Sequence, residues 1–571
     1  MPFTSGIKKC RLNEVFLLAE IIISAAVFIL LGIFLAKYAG GPIYSDEVMY
    51  INHGLLNVKD PFIINRYTHI FFQKLFVEIA DRPLEGVKAY WGFLVAGSAA
   101  LTYVISRLTT KTSNILHAGI STLLYLTIPL LSVYSGNTSV DLTAGIFLGL
   151  TVVLYILCFR QPGKPVYLLS LMGLAFFLAF RSKETTLASA VLLIGFLFDG
   201  EGGINVRLCL KRLGYFMIGL LAGVVLFMLL NGLLLKDAWF GLRLSEYFQF
   251  KKTYIDRNIG EESKAVANWF TGFFLESTPY IFLAYLFSGI KLLKKQPPSM
   301  RLPWLIPLKL IVILSVIIGF SSWGVIGRHV FPILPLVCAF APQLIVFDFP
   351  RNKKEFSWLA FSMLAAALLF IAGRKILVVV SQAGPYNYPD FLASTVYPIT
   401  LIALIILVFL VRHYSNKTVF APLLVFVIFI AYPLYDNTLN YFFEQTNVRK
   451  MNERLQAIEV FDSANIKEEK IKLLVFEDAL SDLNYSSRDV EFIDLFNMYY
   501  DERLTWSDVR VVNFDTFKPQ TIVEWQPTFI LMSADEYSSS EASVIIQRYI
   551  ESDYEMIDSG NIRFALFNRL K

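Results

Sequence analysis

Apolar blocks of about 20 residues recur along this chain through residue 436, and that length spans the hydrocarbon core of a bilayer as an α-helix. The 571-residue sequence is 56% hydrophobic and 17% charged, with a mean hydropathy of +0.56. Soluble domains usually contain about a quarter of charged residues. The excess of apolar residues lies in the blocks, so the sequence predicts a polytopic α-helical membrane protein.

Block length predicts about thirteen transmembrane spans. The first span runs roughly from Glu14 to Ala36, and the others lie near 87–107, 115–134, 139–159, 166–181, 186–199, 213–235, 271–291, 303–326, 329–348, 356–378, 395–411 and 418–435. With a cytoplasmic N-terminus, every inner loop is basic, as the positive-inside rule requires. The basic residues of these loops are Arg107/Lys111, Arg160/Lys164, Arg207/Lys211/Arg212, Lys291/Lys294/Lys295/Arg301, Arg351/Lys353/Lys354 and Arg412/His413/Lys417.

This orientation places four segments on the outer side, at 37–86, 181–186, 236–271 and everything after Asp436. In the first loop, Arg66–Ala80 reads RYTHIFFQKLFVEIA, with apolar residues at helical spacing at Ile70, Phe71, Leu75 and Phe76. This spacing predicts an amphipathic helix in the membrane interface. The aromatic residues between Trp239 and Phe250 favour a second interfacial segment.

Charged residues become frequent and apolar runs shorten from Asn437. Lys472–Glu477, Thr528–Met532 and Ile562–Asn568 are typical of strands, and Ser539–Glu551 is typical of a helix with Ser540 as its cap. The sequence therefore predicts a transmembrane module at 1–436 and a small extracytoplasmic α/β domain at 437–571.

Several classes of site are disfavoured by the composition. The four cysteines, Cys10, Cys158, Cys209 and Cys338, lie outside the predicted outer segments and form no CxxC pair, so neither a disulfide framework nor a thiolate metal site is predicted. The Lys and Arg clusters between spans indicate topology, not a nucleic-acid surface. The first apolar block is longer than a signal-peptide core and has no small-residue cleavage site, so we expect it to be retained.

An acidic pair, Asp46-Glu47, follows the first predicted span. Adjacent carboxylates at an interface supply a general base or bind a cation. The alternatives are a solvated acidic loop, or the start of a helix capped by Ser45 with the carboxylates in its first turn.

Three charged residues share a tight outer turn at Arg181, Lys183 and Glu184. Cations at this turn would bind a phosphate, with Glu184 orienting Lys183. The alternative is a cluster of side chains that extend to the interface. This is the one outer turn that departs from the charge rule.

The third polar motif is Gly327–Leu336, which begins with Arg328 and His329 and contains Pro332 and Pro335. An arginine at an outer span end, followed by a proline-punctuated helix, fits a phosphate clamp. The alternative is an anchor at the end of a kinked helix.

The order of these three motifs resembles the GT-C glycosyltransferase superfamily. The closest resemblance is to its glycosyltransferase-39-like group, which includes protein O-mannosyltransferases and aminoarabinose–lipid A transferases. That group has an acidic pair in the first outer loop, a Lys after a mid-chain span and a later Arg-aromatic-x-x-Pro-x-x-Pro stretch. This chain departs from the pattern at His329, where the aromatic residue usually stands. The thirteen-span layout with a soluble outer tail is similar to the aminoarabinose transferases in particular.

The resemblance implies a GT-C fold and a glycosyltransferase of the cell envelope that uses a polyprenyl-phosphate-linked hexose or pentose. The acceptor would be a hydroxyl of a lipid, glycan or protein. Asp46 would be the general base and Glu47 would bind hydroxyl groups, while Lys183, Arg328 and Arg66 would stabilise the leaving phosphate. Arg181, Glu184 and His329 would support them. Inversion at the anomeric carbon is expected from the family.

Arg66, Tyr67 and His69 precede the amphipathic helix, where family members often contact the donor; the alternative is an interface-anchoring belt. A bound divalent cation is an open alternative, because His53, His69 and His329 lie on the predicted outer side with the acidic pair. Their spacing matches no metal motif, so no metal ligand is assigned.

Two other classes of protein compete with the enzyme. A transporter or lipid flippase would also have many spans and buried charges, but its charges would lie near the midplane, often in repeated halves. A scaffold that only presents the tail would not need thirteen spans. Within the superfamily, an oligosaccharyltransferase catalytic subunit would carry a WWDYG signature, which this sequence lacks.

Overall fold

The apolar blocks that the structure describes form helices, because a segment in a bilayer must satisfy its backbone hydrogen bonds internally. The computed structural model describes, with short gaps, residues 20–37, 66–109, 115–160 and 167–248, isolated residues at 39–59, 307–314 and 331–342, and 470–476, 505–512, 518–533, 544–557 and 564–570. Its helices are α1 (Ile22–Lys37), α2 (Tyr67–Ile79), α3 (Pro83–Thr109), α4 (Ile115–Leu126), α5 (Val140–Arg160), α6 (Tyr167–Phe180), α7 (Val206–Leu234) and α8 (Leu334–Pro342).

Three helices in the described part of the chain are long and apolar enough to cross a membrane: Glu85–Thr109, Val140–Phe159 and Val206–Leu234. They confirm the predicted spans near 87–107 and 139–159, whereas the span predicted at 213–235 begins earlier, at Val206. Helix α4 ends at Leu126, short of the predicted residue 134. The reason is local: Ile128 precedes Pro129, and the residue before a proline is disfavoured in helical backbone.

The short apolar block predicted at 186–199 is a 3₁₀ helix of 14 residues, Glu184–Leu197. A 3₁₀ helix rises about 2.0 Å per residue, so this segment is about 28 Å long, close to the hydrocarbon thickness. Hydroxyl groups help to tighten it: Thr186 Oγ1 donates to the Lys183 carbonyl at 2.7 Å, and Ser189 Oγ donates to the Thr186 carbonyl at 2.6 Å. A block too short to span the membrane as an α-helix therefore nearly spans the hydrocarbon core as a 3₁₀ helix.

Helices α6 and α7 pack with their backbones in close contact. A Cβ atom added to Gly219 would lie 1.6 Å from the Ser170 carbonyl oxygen, and one added to Gly173 would lie 2.0 Å from the Phe216 carbonyl oxygen. Ser170 Oγ also donates to the Tyr215 carbonyl at 2.9 Å. Small residues are the usual means of close helix packing in membranes.

Helix α2 confirms the helix predicted at Arg66–Ala80. Its buried side carries the polar residues His69, Gln73 and Lys74 beside the apolar residues Ile70 and Val77. Lys74 Nζ donates to the Gly54 carbonyl at 3.0 Å and pairs with Glu78 at 2.9 Å. Leu75 is 50% and Ile79 is 77% exposed, as suits a helix in the membrane interface.

The tail contains a five-stranded sheet in the order β2-β1-β3-β5-β4. The strands are β1 (Lys470–Phe476), β2 (Thr505–Val512), β3 (Phe529–Ser533), β4 (Tyr554–Ile557) and β5 (Phe564–Arg569). Strand β1 pairs in parallel with β2 and β3, and β5 is antiparallel to β3 and β4.

Strands β1, β3 and β5 lie where strands were predicted, whereas β2 and β4 were not anticipated. A six-residue helix, α9 (Gln520–Trp525), precedes β3. Of the helix predicted at 539–551, the structure describes a π-helical turn at Ile546–Ile550. The spans predicted at 271–291, 356–378, 395–411 and 418–435, and the domain boundary at 436/437, lie outside the described residues.

Candidate functional site

Buried polar side chains gather at one end of the helix bundle. The N-terminal ends of α3 and α5 meet the C-terminal end of α6 and the start of the 3₁₀ helix there, and α2 packs across them. The predicted topology assigns this end to the outer side, because the loops 37–86, 181–186 and 236–271 all join it. We call the group Arg66, His69, Tyr90, Asp141, Thr143, Lys183 and Glu184 the outer-end cluster.

Lys183 forms a buried ion pair with Asp141, and the Lys183 Nζ to Asp141 Oδ1 distance is 2.5 Å. The two side chains are 7% and 0% exposed. Asp141 lies in the first turn of α5, where a carboxylate interacts favourably with the helix dipole. Ser139 holds it further, since Ser139 Oγ donates to Asp141 Oδ2 and accepts from the Asp141 backbone nitrogen, both at 3.1 Å. Lys183, the residue predicted to bind phosphate, is therefore already paired with a carboxylate.

A second ion pair joins Arg66, at the N-terminal end of α2, to Glu184, at the start of the 3₁₀ helix. Arg66 Nη1 and Nη2 donate to the two Glu184 carboxylate oxygens at 2.5 and 3.2 Å, a bidentate arrangement. Arg66 is 8% exposed overall. The Glu184 carboxylate, which was predicted to orient Lys183, binds Arg66, while Lys183 Nζ pairs with Asp141.

An uncharged network lies between the two ion pairs. Thr143 Oγ1 is 2.7 Å from His69 Nδ1 and 2.8 Å from the Tyr90 hydroxyl. Burial lowers the pKa of His69 to about 3, the positive charge of Arg66 acts in the same direction, and Asp141 opposes both. His69 is therefore a neutral imidazole at physiological pH.

Arg181 and Tyr67 lie beside the cluster in largely apolar surroundings. The Arg181 guanidinium carbon is 4.2 Å from the centroid of the Phe227 ring, and Nη1 donates to the Gly241 carbonyl at 3.1 Å. Tyr67 is fully buried and packs edge-on against Phe240 at 5.2 Å between ring centroids. These contacts give both residues a packing role at the base of the 236–248 loop.

Asp46, Glu47, Arg328 and His329 lie outside the described residues, so their predicted meeting with Lys183 stays a prediction. Described residues close to them in sequence contact the outer-end cluster or the helix that carries it. The Tyr50 ring meets the His69 ring edge-on at 5.7 Å between centroids. A Cβ atom added to Gly145, one turn after Asp141, would lie 3.2 Å from both the Phe331 oxygen and the Pro332 Cα.

Asp141, Thr143 and Tyr90 were missed by the sequence reasoning. A signal for Asp141 was present, because it is a single carboxylate at the outer end of an apolar span, and ionisable residues in such positions are usually functional. Thr143 and Tyr90 gave no comparable signal, since uncharged polar residues are common in membrane helices. Among the residues that the structure describes, no group of three His, Cys, Asp or Glu side chains is arranged to hold a metal ion.

The fold and the cluster can be compared with known proteins. The crystal structure of ArnT from Cupriavidus metallidurans in the apo state matches with a TM-score of 0.57 at 12% sequence identity, over 97% of this chain and 98% of that chain. The chain has the ArnT fold. ArnT bound to undecaprenyl phosphate matches with the same TM-score at 13% identity and the same coverage.

This likeness agrees, at the level of the fold, with the resemblance drawn from the order of the three motifs. The oligosaccharyltransferase of Archaeoglobus fulgidus in the apo form gives a TM-score of 0.44 at 9% identity, over 94% of this chain and 72% of that chain, which is too distant to support a conclusion. No protein-family model and no curated protein sequence matches the chain. At these identities the likeness to ArnT establishes the fold alone. The activity must be inferred from the chemistry of the site.

Proposed function

We propose that this protein is a membrane glycosyltransferase that moves a hexose or pentose from a polyprenyl-phosphate donor to a hydroxyl acceptor on the extracytoplasmic side. The acceptor would be a lipid, a glycan or a protein. The observation that carries the proposal is the pair of buried cations, Lys183 and Arg66, at one end of a bundle with the ArnT fold. Buried ionisable residues are costly in a membrane protein and usually mark a functional site, and a cation in such a site can bind a phosphate.

Three further observations support a lipid-phosphate ligand. An ArnT structure with this fold contains undecaprenyl phosphate. The described charges of the cluster lie at one end of the bundle, where a lipid headgroup would lie while its tail stays in the bilayer. A transporter would be expected to hold its charged site near the midplane.

In the proposed reaction, an acceptor hydroxyl attacks the anomeric carbon of the sugar. Its O–H proton passes to Asp46, a new bond forms between the acceptor oxygen and the anomeric carbon, and the bond from that carbon to the phosphate oxygen breaks. Glu47 would bind hydroxyl groups, and one direct displacement would invert the anomeric centre. Lys183, Arg66 and Arg328, with support from His329, would stabilise the charge that develops on the departing phosphate.

The two ion pairs affect how Lys183 and Arg66 could bind the phosphate. Asp141 and Glu184 neutralise Lys183 and Arg66 in the structure described here, so an incoming phosphate must share or replace these carboxylates. Cations that stay fixed while charge develops act electrostatically without reorganising. Asp141 would therefore serve to keep Lys183 at a fixed position in the site.

The proposed location is the cell membrane, with the N-terminus cytoplasmic and the tail extracytoplasmic. The exposed residues Trp239 and Ile204 lie at opposite ends of α7 and suit a test by cysteine substitution. In intact cells an impermeant maleimide should label the Trp239→Cys variant above the background of the native cysteines, and Ile204→Cys only after permeabilisation. The reverse pattern would invert the topology and remove the site from the outer side.

The activity test uses the purified full-length protein in nanodiscs, incubated with radiolabelled polyprenyl-phosphate sugars and membrane extracts. Wild-type protein should transfer label to an acceptor, and Asp46→Asn should abolish transfer. Lys183→Glu and Lys183→Met should weaken binding of the donor. Asp199→Asn is the matched control, because Asp199 accepts from the Gly203 backbone nitrogen at 2.8 Å at the opposite end of the bundle.

Transfer by Asp46→Asn at the wild-type rate would remove Asp46 as the base. Unchanged donor affinity in the Lys183 variants would remove the phosphate role of Lys183. Absence of transfer and of lipid-phosphate binding in the wild-type protein, across hexose and pentose donors, would contradict the proposal as a whole.

A further inference from the structure

Tyr90, Thr143 and His69 form a buried hydrogen-bonded chain that the proposed reaction does not yet use. The three side chains come from α3, α5 and α2 and are 1%, 1% and 0% exposed. Their contacts run from the Tyr90 hydroxyl to Thr143 Oγ1 at 2.8 Å and from Thr143 Oγ1 to His69 Nδ1 at 2.7 Å. Within the outer-end cluster, this chain is the uncharged part.

The hydrogen atoms of this chain can be assigned by counting donors and acceptors. Thr143 has one hydroxyl hydrogen and two neighbours, and Tyr90 has one hydroxyl hydrogen and Thr143 as its neighbour. If Tyr90 donates to Thr143 and Thr143 donates to His69 Nδ1, both hydroxyl hydrogens are used. In the opposite direction, with Nδ1 donating to Thr143, one of the two hydroxyl hydrogens has no acceptor among these contacts and Nε2 is an unpaired acceptor. The first arrangement leaves one unsatisfied group, the Nε2–H, where the second leaves two, so the imidazole proton lies on Nε2.

His69 Nε2 has no hydrogen-bond partner among the residues that the structure describes, and it is fully buried. A buried donor without a partner costs free energy and is rare in native proteins, so it calls for an explanation. Arg66 and Asp141, one from each ion pair of the cluster, are the charged groups that act electrostatically on this ring. His69 is also bonded through Nδ1 to Thr143, which lies two residues after Asp141 on α5, so the unused N–H lies within the outer-end cluster.

We infer that Tyr90 and Thr143 are positioning residues that hold the His69 proton on Nε2, so that His69 presents a neutral N–H donor to an oxygen of the bound lipid-phosphate sugar. This inference rests on the proposed function. The accepting oxygen belongs to the phosphate or to the sugar, and both have the same hydrogen-bonding chemistry. A neutral donor orients such an oxygen without adding charge to a site that already contains two cations.

The test compares variants of the chain with matched changes of shape. Thr143→Val removes the hydroxyl and keeps the volume, Thr143→Ser restores the hydroxyl, and Tyr90→Phe removes the first donor. His69→Gln keeps an amide N–H near the Nε2 position, and His69→Asn keeps one near Nδ1. Thr151→Val is the control, since Thr151 is a buried threonine of the same helix whose hydroxyl donates to the Phe147 carbonyl at 2.8 Å.

Each variant, in nanodiscs, is measured for the kcat and KM of sugar transfer, for the Kd of undecaprenyl phosphate and for its melting temperature. Thr143→Val should raise KM for the donor about tenfold, which is the effect of about 1.4 kcal/mol in binding. Thr143→Ser should restore KM, and Thr151→Val should leave it unchanged. His69→Gln should retain more affinity than His69→Asn.

The KM of sugar transfer and the Kd of undecaprenyl phosphate together show whether the accepting oxygen belongs to the phosphate or to the sugar. A parallel rise in the Kd of undecaprenyl phosphate assigns the contact to the phosphate, and an unchanged Kd assigns it to the sugar. Wild-type KM and Kd in Thr143→Val and Tyr90→Phe would overturn the inference while leaving the proposed function in place. The same conclusion would follow if the losses of donor affinity only paralleled the fall in melting temperature and were not restored by Thr143→Ser. A wild-type protein that neither transfers sugar nor binds undecaprenyl phosphate would overturn both.

Discussion

Lys183 Nζ lies 2.5 Å from Asp141 Oδ1, and this ion pair joins the start of the 3₁₀ helix to the first turn of α5 at a place where both side chains are buried. The pair connects a residue predicted to bind phosphate with a residue that was not predicted at all. Two opposite charges that are buried together avoid the large penalty of either one alone. The position of the lysine is therefore set by the aspartate.

The Lys183–Asp141 pair should be strongly coupled in stability. We expect Asp141→Asn or Lys183→Met alone to lower the free energy of unfolding by about 3–5 kcal/mol, because each leaves an uncompensated buried charge. The double variant Asp141→Leu/Lys183→Met should recover much of that loss and still bind undecaprenyl phosphate more weakly than the wild-type protein. Thermal unfolding in detergent and lipid binding measure the two effects. Additive losses in the double variant would contradict the coupling.

The Arg66–Glu184 pair allows stability to be separated from phosphate binding. Arg66→Lys and Glu184→Gln both remove the bidentate contact, and each should lower the free energy of unfolding by about 1 kcal/mol. Their effects on undecaprenyl phosphate should have opposite signs. Arg66→Lys should weaken binding because the planar fork is lost, whereas Glu184→Gln should preserve or strengthen it because a competing carboxylate is removed. Equal losses of affinity in both variants would place Glu184 in the ligand site.

The buried neutral His69 predicts a loss of stability in acid. Its pKa falls from an ordinary value of 6.5 to about 3 in the folded protein, so the unfolded state binds the proton more tightly. The stabilising effect is complete above pH 6.5 and is lost as pH falls toward 3. By linkage, the folded state should lose about 2 kcal/mol at pH 5 relative to pH 8.

The control for this pH effect is His69→Asn, which has no titratable group at this position. The melting temperature of the wild-type protein should fall more steeply than that of the variant between pH 8 and pH 5. Parallel slopes would show that other groups, including the four remaining histidines, account for the pH dependence.

The contact between α6 and α7 predicts opposite results for two glycines of the same helix. Gly219→Ala should destabilise the protein by about 3 kcal/mol, because its Cβ atom would lie 1.6 Å from the Ser170 carbonyl oxygen. Gly214→Ala should be neutral or stabilising by up to about 1 kcal/mol, because nothing lies within 4 Å of its Cβ position and alanine favours the helix. Melting temperatures measure both, and a folded Gly219→Ala variant of wild-type stability would contradict the close packing.

Much of the local structure was predictable from the sequence, and the misses have local causes. Helices α3 and α5 lie at their predicted spans, and Lys470–Phe476 and Phe529–Ser533 lie at predicted strands. The 3₁₀ form of Glu184–Leu197 was missed because hydropathy reports how apolar a segment is and not its rise per residue. The burial of His69, Gln73 and Lys74 on α2 was missed because the helical spacing was read from the apolar residues alone.

The sequence by itself determined that the described part of the chain forms long apolar helices and that Arg66, Lys183 and Glu184 lie at the same end of them. Both follow from local quantities, the length of an apolar block and the charges between blocks. Only the tertiary structure decided which charges meet: Lys183 with Asp141 and Arg66 with Glu184. Ion pairs between distant segments depend on how helices pack and on which carboxylate lies within reach of each cation, and neither is recorded in the residues that flank the pair.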